Sequence, residues 1–196
     1  MIKKIISKRI LLLLLLVVLM LIPVETFAAS NQLNSIDILV ELDEYGNGYI
    51  TEEWNLYYPD ATENYIIMEN LGEVQLEDLK VSTDNYGEFE KLDYWDVNNS
   101  REEKKYKYGI VHTANGYELC WGIGDGKDFQ TYKVTYTLKN MVQSYQDGYT
   151  GFNWQFIADS INPSPKSVSV RITRPGGFNK EDTKIWAFGY EGTINI

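Results

Sequence analysis

Cysteine is almost missing from this chain. Cys120 is the only one among 196 residues, so no disulfide can form within it. Histidine is as scarce. His112 stands alone, which excludes a paired-histidine zinc site, and zinc held by His112 and Cys120 would lack ligands. Cations are the minority, 18 Lys and Arg against 28 Asp and Glu, for a net charge of −10. So acidic a chain has no electrostatic drive toward nucleic acid or anionic lipid. After Ile22 no long apolar run recurs before Ile196, so no transmembrane segment is expected in the remainder.

The N-terminus has the features of a secretory leader. Lys3, Lys4, Lys8 and Arg9 form a positive region, Ile10 to Ile22 is unbroken apolar sequence, and Pro23 stops it. Thr26 and Ala28 suit a signal peptidase, so residues 1–28 are expected to be removed and the mature chain to start at Ala29, with Ser30 as second choice. The rival reading is an uncleaved anchor. Loss of 1–28 takes away four cations and Glu25 and leaves −13. Residues 29–196 are expected to form one extracytoplasmic domain. A chain of roughly 150 residues buries about 68–70% of its unfolded surface, enough for a core without staples. Export without disulfides suits a bacterial wall or surface.

The dominant period is two, the signature of strands. Ile36, Ile38, Val40 and Leu42 alternate with other residues, and Ile50, Trp54, Leu56 and Tyr58 again fall on even numbers. Pairing even with even requires an odd-length loop in Asp43–Gly48. A two-residue Asn47-Gly48 turn is thereby rejected in favour of a three-residue loop with a left-handed glycine. Asn115-Gly116 predicts a second hairpin with a type I′ turn and positive φ at both residues. That register sets Ala114 opposite Tyr117, His112 opposite Leu119, Ile110 opposite Trp121 and Tyr108 opposite Ile123, all on one buried face. Four further runs are predicted: Thr131 to Met141, Gly151 to Ile157, Ser167 to Arg174 and Lys184 to Ile196. Turn clusters separate them, at 124–127, 162–165 and 174–177. One helical turn fits in Asn70 to Leu79, and Asn98 to Lys105 reads as a charged loop. The pattern predicts an all-β, antiparallel β-sandwich.

No segment carries a complete chemical constellation. Asp43 to Ile50 has the look of a calcium loop, but Tyr45 and Trp54 occupy positions that need oxygen ligands, leaving a β-turn. Gly122 to Asp128 misses the phosphate-loop spacing, with Trp121 and Asp128 where Gly and Ser or Thr belong. His112 and Cys120 fall on opposite faces of the second hairpin, which excludes a nucleophile pair and leaves a buried or half-buried histidine beside an apolar cysteine. Glu52, Glu53, Asp125, Asp147 and Asp159 are carboxylates without a spacing that aligns two across a cleft. Five Trp and fifteen Tyr make sugar stacking conceivable, yet Trp54, Trp121 and Trp154 sit on apolar-alternating faces and read as core.

Several segments resemble a bacterial family. Ile38-Leu39-Val40, followed by Asp43 to Glu52, is similar to the opening strand, acidic glycine turn and Val-Thr-Glu strand of domain-of-unknown-function family 2207, whose members are predicted membrane proteins. Phe129 to Asn140, Tyr145-Gln146-Asp147 with Trp154, Val168 to Pro175, and Trp186-Ala187-Phe188-Gly189 resemble its later blocks, in the same order. Two departures stand out. Tyr65 to Met68 lacks the family's Arg before Ile-Pro, and the sequence ends at Ile196 without the family's transmembrane helices, as a truncated or free-standing copy would. The resemblance implies an extracytoplasmic β-sandwich and transfers no catalytic residue. The expected function is a non-catalytic interaction or structural domain without cofactor, its partner an envelope or surface protein or a polysaccharide. The alternative is a secreted carbohydrate-binding module or carbohydrate-active enzyme.

Overall fold

The computed structural model describes residues 30–189. The leader predicted over residues 1–28, and the end of the last predicted run, lie outside the described residues. Among the described residues, no helix is long and apolar enough to cross a membrane.

Twelve strands and one helical turn make up the described chain: β1 (Gln32–Leu42), β2 (Gly48–Tyr57), β3 (Glu63–Glu69), β4 (Gln75–Thr83), β5 (Gly87–Glu88), β6 (Glu90–Lys91), α1 (Arg101–Lys104), β7 (Lys107–His112), β8 (Gly116–Gly122), β9 (Gln130–Lys139), β10 (Gln143–Ser144), β11 (Thr150–Gly151) and β12 (Ser167–Thr173). Six strands form the larger sheet in the order β12-β1-β2-β9-β4-β5. Four form the smaller, β3-β8-β7-β6, and β10 and β11 pair as a separate ribbon. The all-β expectation holds. The sheets are mixed rather than wholly antiparallel, because β12 runs parallel to β1 and β6 parallel to β7. The long passage from β9 brings the chain to the same end as β1, where Lys166 N–H donates to Leu33 O at 3.1 Å.

The two sheets pack face to face. Trp54 of the larger meets Trp121 of the smaller edge-on, with ring centroids 5.7 Å apart, and Tyr132 reaches Trp121 at 6.3 Å. Alternation explains who is inside: Ile50, Glu52, Trp54 and Leu56 of β2 and Tyr132, Val134, Tyr136 and Leu138 of β9 are all buried.

The first hairpin has the predicted three-residue loop. Val40 pairs with Ile50, Asp43 N–H donates to Asn47 O at 3.0 Å, and Gly46 takes φ +83°. The second hairpin keeps the predicted faces but not the turn. Ile110 pairs with Leu119, Tyr108 with Trp121 and His112 with Tyr117, two residues away from the predicted register. Thr113 N–H donates to Gly116 O at 3.0 Å, so Ala114 and Asn115 are the central turn residues, and neither Asn115 nor Gly116 has positive φ. Because the slip is two residues, the strand side chains keep their predicted face, but that face is buried only at Tyr108, Leu119, Trp121 and Ile123; Ile110 and Tyr117 are half-buried, His112 is exposed, and Ala114 is an exposed turn residue.

Other local expectations are overturned. Residues 152–157 form no strand; Phe152, Trp154 and Phe156 instead lie half-buried against the core as irregular chain. Lys184 to Gly189 is not a strand either. The predicted helical turn within 70–79 is a turn leading into β4, while the charged loop holds α1. Glu103 closes that turn onto Ser100, accepting from its N–H at 2.8 Å and its hydroxyl at 2.6 Å.

Candidate functional site: a cleft along the edge of the smaller sheet

The smaller sheet ends at β3, and a cavity of about 230 Å³ runs along that end. Glu63 to Ile67, five consecutive residues, form one wall, so the strand edge itself lines it. Trp54 and Tyr58 close the floor, and Phe156, Ile161 and neighbouring residues form the opposite wall.

Among the described residues, nothing pairs with the backbone on the outer side of this edge. Thr62 O accepts from Ile123 N–H at 3.1 Å, and Asn70 N–H donates to Asn115 O at 3.3 Å. Even-numbered residues thus turn their backbone groups toward β8, and by the alternation of antiparallel ladders Glu63, Tyr65, Ile67 and Glu69 turn theirs away from it. Among the described residues none of these four makes a backbone bond on that side. Unpaired edges are positions where another strand adds.

The cleft also holds a stranded amide. Asn64 is 8% exposed, and its Nδ2 has no hydrogen-bond partner among the described residues. Most buried polar groups are satisfied, so this amide beside the cleft is an exception. Nε1 of Trp121, its cross-strand neighbour, likewise has no partner among the described residues. Burial, aided by nearby Tyr65, pushes the Tyr58 hydroxyl up to about 12, so it stays protonated.

The wall is braced from behind. Glu63 accepts from Trp95 Nε1 at 2.5 Å and pairs with Lys104 Nζ at 3.1 Å. Lys104 is buried and donates further to Val97 O at 2.6 Å and Thr62 Oγ1 at 3.2 Å. Arg101 binds the carbonyls of Pro59 and Ala61, the corner that feeds β3, and Asp125 O at 3.0 Å. Gly122 and Gly126 permit this, since a Cβ on Gly122 would meet Lys104 O at 1.9 Å and one on Gly126 would meet Arg101 Nη1 at 2.2 Å.

A buried carboxylate lies behind the floor. Glu52 is wholly buried on the core face of β2, where Trp54 Nε1 donates to Oε2 at 2.7 Å and Tyr136 O–H donates to Oε1 at 2.5 Å. Desolvation raises its pKa to about 7 against the lowering effect of both donors. Tyr136 is pushed well above its usual range by burial and by Glu52.

The residues singled out in the sequence do not converge. Asp43 caps its own turn, accepting from the N–H groups of Tyr45 and Asn47 at 2.9 Å each, and no cluster of metal-binding type occurs among the described residues. Gly126 abuts the Arg101 guanidinium. His112 is exposed, not buried or half-buried as expected, because it flanks the turn at the sheet end. Cys120 is buried on the opposite face, and desolvation pushes its thiol up to about 12. Glu53 is exposed on the other face of β2 from Glu52, Asp125 pairs with Lys105, and Asp147 and Asp159 are exposed. Among the described residues, Glu63 is the one carboxylate lining the cleft. Trp54, Trp95 and Trp121 are buried, Trp154 is half-buried, and Trp186 is exposed. Sequence reasoning missed Asn64 and Lys104. Asn64 carried a signal, a polar residue in phase with Ile66 and Met68; Lys104 carried none.

Fold and cleft together define a two-sheet β-sandwich domain with an open strand edge. Residues 26–195 match the family described as the N-terminal domain of predicted membrane protein DUF2207, and the chain belongs to that family. No curated protein matches the sequence. Among solved structures, a chain from Parabacteroides distasonis ATCC 8503, provisionally described as a protease, is similar over 56% of this chain and 23% of its own, at 11% identity and a TM-score of 0.30. So loose a likeness assigns neither fold nor activity.

Proposed function

We propose that this is a non-catalytic extracytoplasmic interaction domain, exported by the leader at residues 1–28, which engages a partner in the envelope or at the cell surface through the cleft at β3. The observation that carries the reading is the coincidence of four unpaired edge residues, Glu63, Tyr65, Ile67 and Glu69, with a cleft holding the unpartnered Asn64 amide. The bracing by Lys104 and Arg101 supports it, because a preorganised wall loses less entropy on binding.

A photo-crosslinking residue at the exposed Tyr65 tests this in the producing cell, with the same probe at exposed Lys80 of β4 as control. Adducts specific to position 65 are expected. Equal labelling from both positions, or none from 65, would sink the reading.

A further inference from the structure

Resting on that reading, we infer that β3 accepts an extended polypeptide with alternating basic and apolar side chains, added as a fifth strand of the smaller sheet. The unpaired groups recur every second residue, a repeat of about 6.6–6.8 Å that another extended peptide backbone matches.

The side chains around the edge define the chemistry of the incoming strand. Residues 63, 65, 67 and 69 share the outer face of the smaller sheet; Glu63 is already engaged by Lys104, while Glu69 is exposed and Glu118, paired with Ile67 across the ladder, lies half-buried on the same face. The next strand's outer positions thus border carboxylates, in a chain already of net charge −10. Lysine or arginine is favoured there and acidic residues are opposed.

The inner positions face different surroundings. Asn64, Ile66 and Met68 line that side of β3. Across from them the larger sheet is wider than the smaller. Val168, Val170 and Ile172 are in register with buried Ile36, Ile38 and Val40 and so share their face, yet Val170 is 43% exposed. A strand beside β3 would bring apolar side chains toward this uncovered stripe, and the cleft provides room between β3 and Phe156 and Ile161. A second copy of this chain is disfavoured as occupant, because β3 against β3 would gather the Glu69 and Glu118 carboxylates of both copies on one face.

The probe is a labelled peptide of about ten residues alternating lysine and valine, enough to span a typical strand, titrated into the purified exported chain by fluorescence anisotropy. Saturable binding is expected, at least about tenfold weaker when glutamate replaces lysine. N-methylation of one alternate set of amides should abolish pairing while the other set is tolerated: the lysine set for antiparallel addition, the valine set for parallel. Ile67→Pro removes an N–H that makes no bond among the described residues, so the chain should stay folded by circular dichroism and lose about tenfold or more in affinity. No binding, equal binding of both methylated peptides, equal binding of the glutamate peptide, or a dimer in sedimentation that Ile67→Pro dissolves would each overturn the inference. Position-65 adducts in cells together with no peptide binding would leave the interaction reading intact and discard the strand.

Discussion

Gly116 runs so close to Met68 that a Cβ on it would lie 1.9 Å from the Met68 carbonyl oxygen. This contact between β8 and β3, rather than a left-handed turn, is what requires glycine at the hairpin. Gly116→Ala should therefore destabilise the domain by about 1–3 kcal/mol, the usual range for overpacking. Gly116→Asn should be at least as costly, although asparagine tolerates positive φ well. Asn115→Ala should be nearly neutral. Urea melts of the three variants separate the two explanations: a tolerated Gly116→Asn would restore the turn argument.

Trp121 is fully buried and meets Trp54 edge-on. Trp121→Ala should cost roughly 3–5 kcal/mol, since it empties the centre of the interface between the sheets. Trp121→Phe should cost distinctly less, because the indole Nε1 makes no hydrogen bond among the described residues whose loss would add to the penalty. A shallow loss for Trp121→Ala in a denaturant melt would contradict the packing described.

Lys104 and Glu63 form a largely buried pair, with side chains 1% and 19% exposed. Removing one partner of such a pair strands the other. Lys104→Met should cost about 3 kcal/mol, near the low end of the range for broken buried pairs because Glu63 retains some water. The double variant with Glu63→Gln should be less destabilised than the sum of the singles. A thermal-melt cycle that comes out additive would show that the two side chains do not support each other.

Much of this architecture was legible because its signal is local. Alternation assigned Ile36 to Val40, Ile50 to Leu56 and Tyr132 to Leu138 to one interior, and parity alone fixed the first loop at an odd length. The second register was misread because Asn-Gly is a strong turn signal whose competing explanation, a neighbouring strand's carbonyl, is invisible until β3 is placed. The parallel pairing of β12 with β1 had no signal, since a hydrophobic alternation does not state a strand's direction or partner. The aromatic run at 152–157 alternates like a strand, yet packs as irregular chain. The cleft was legible only in part. Asn64 breaks an apolar face and Glu52 breaks another, but their burial and partners depend on residues far along the chain. Lys104 lies in a charged stretch where nothing local distinguishes a buried cation from its exposed neighbours.

Glu52 should make stability fall as pH rises through the mildly acidic range. Its carboxyl is wholly buried and titrates near 7 in the folded chain, against a reference of 4.5. Between those values the folded state holds a proton that the unfolded state has released, so the free energy of unfolding decreases with pH. The favourable contribution is present in full below about 4.5 and is gone above about 7. A shift of this size corresponds to about 3 kcal/mol. Asp43, whose hydrogen bonds from Asn47 and Tyr45 outweigh its desolvation and hold it below the usual range, acts in the opposite sense, and only at lower pH. Glu52→Gln keeps the shape, with its carbonyl accepting from Trp54 Nε1 and its amide donating to the Tyr136 oxygen, while removing the ionisation, so its stability should be nearly flat from pH 5 to 7.5 and should exceed that of the unaltered chain at the upper end. Urea melts across that interval provide the check. Parallel pH profiles for the two proteins would mean that Glu52 is not the group that titrates.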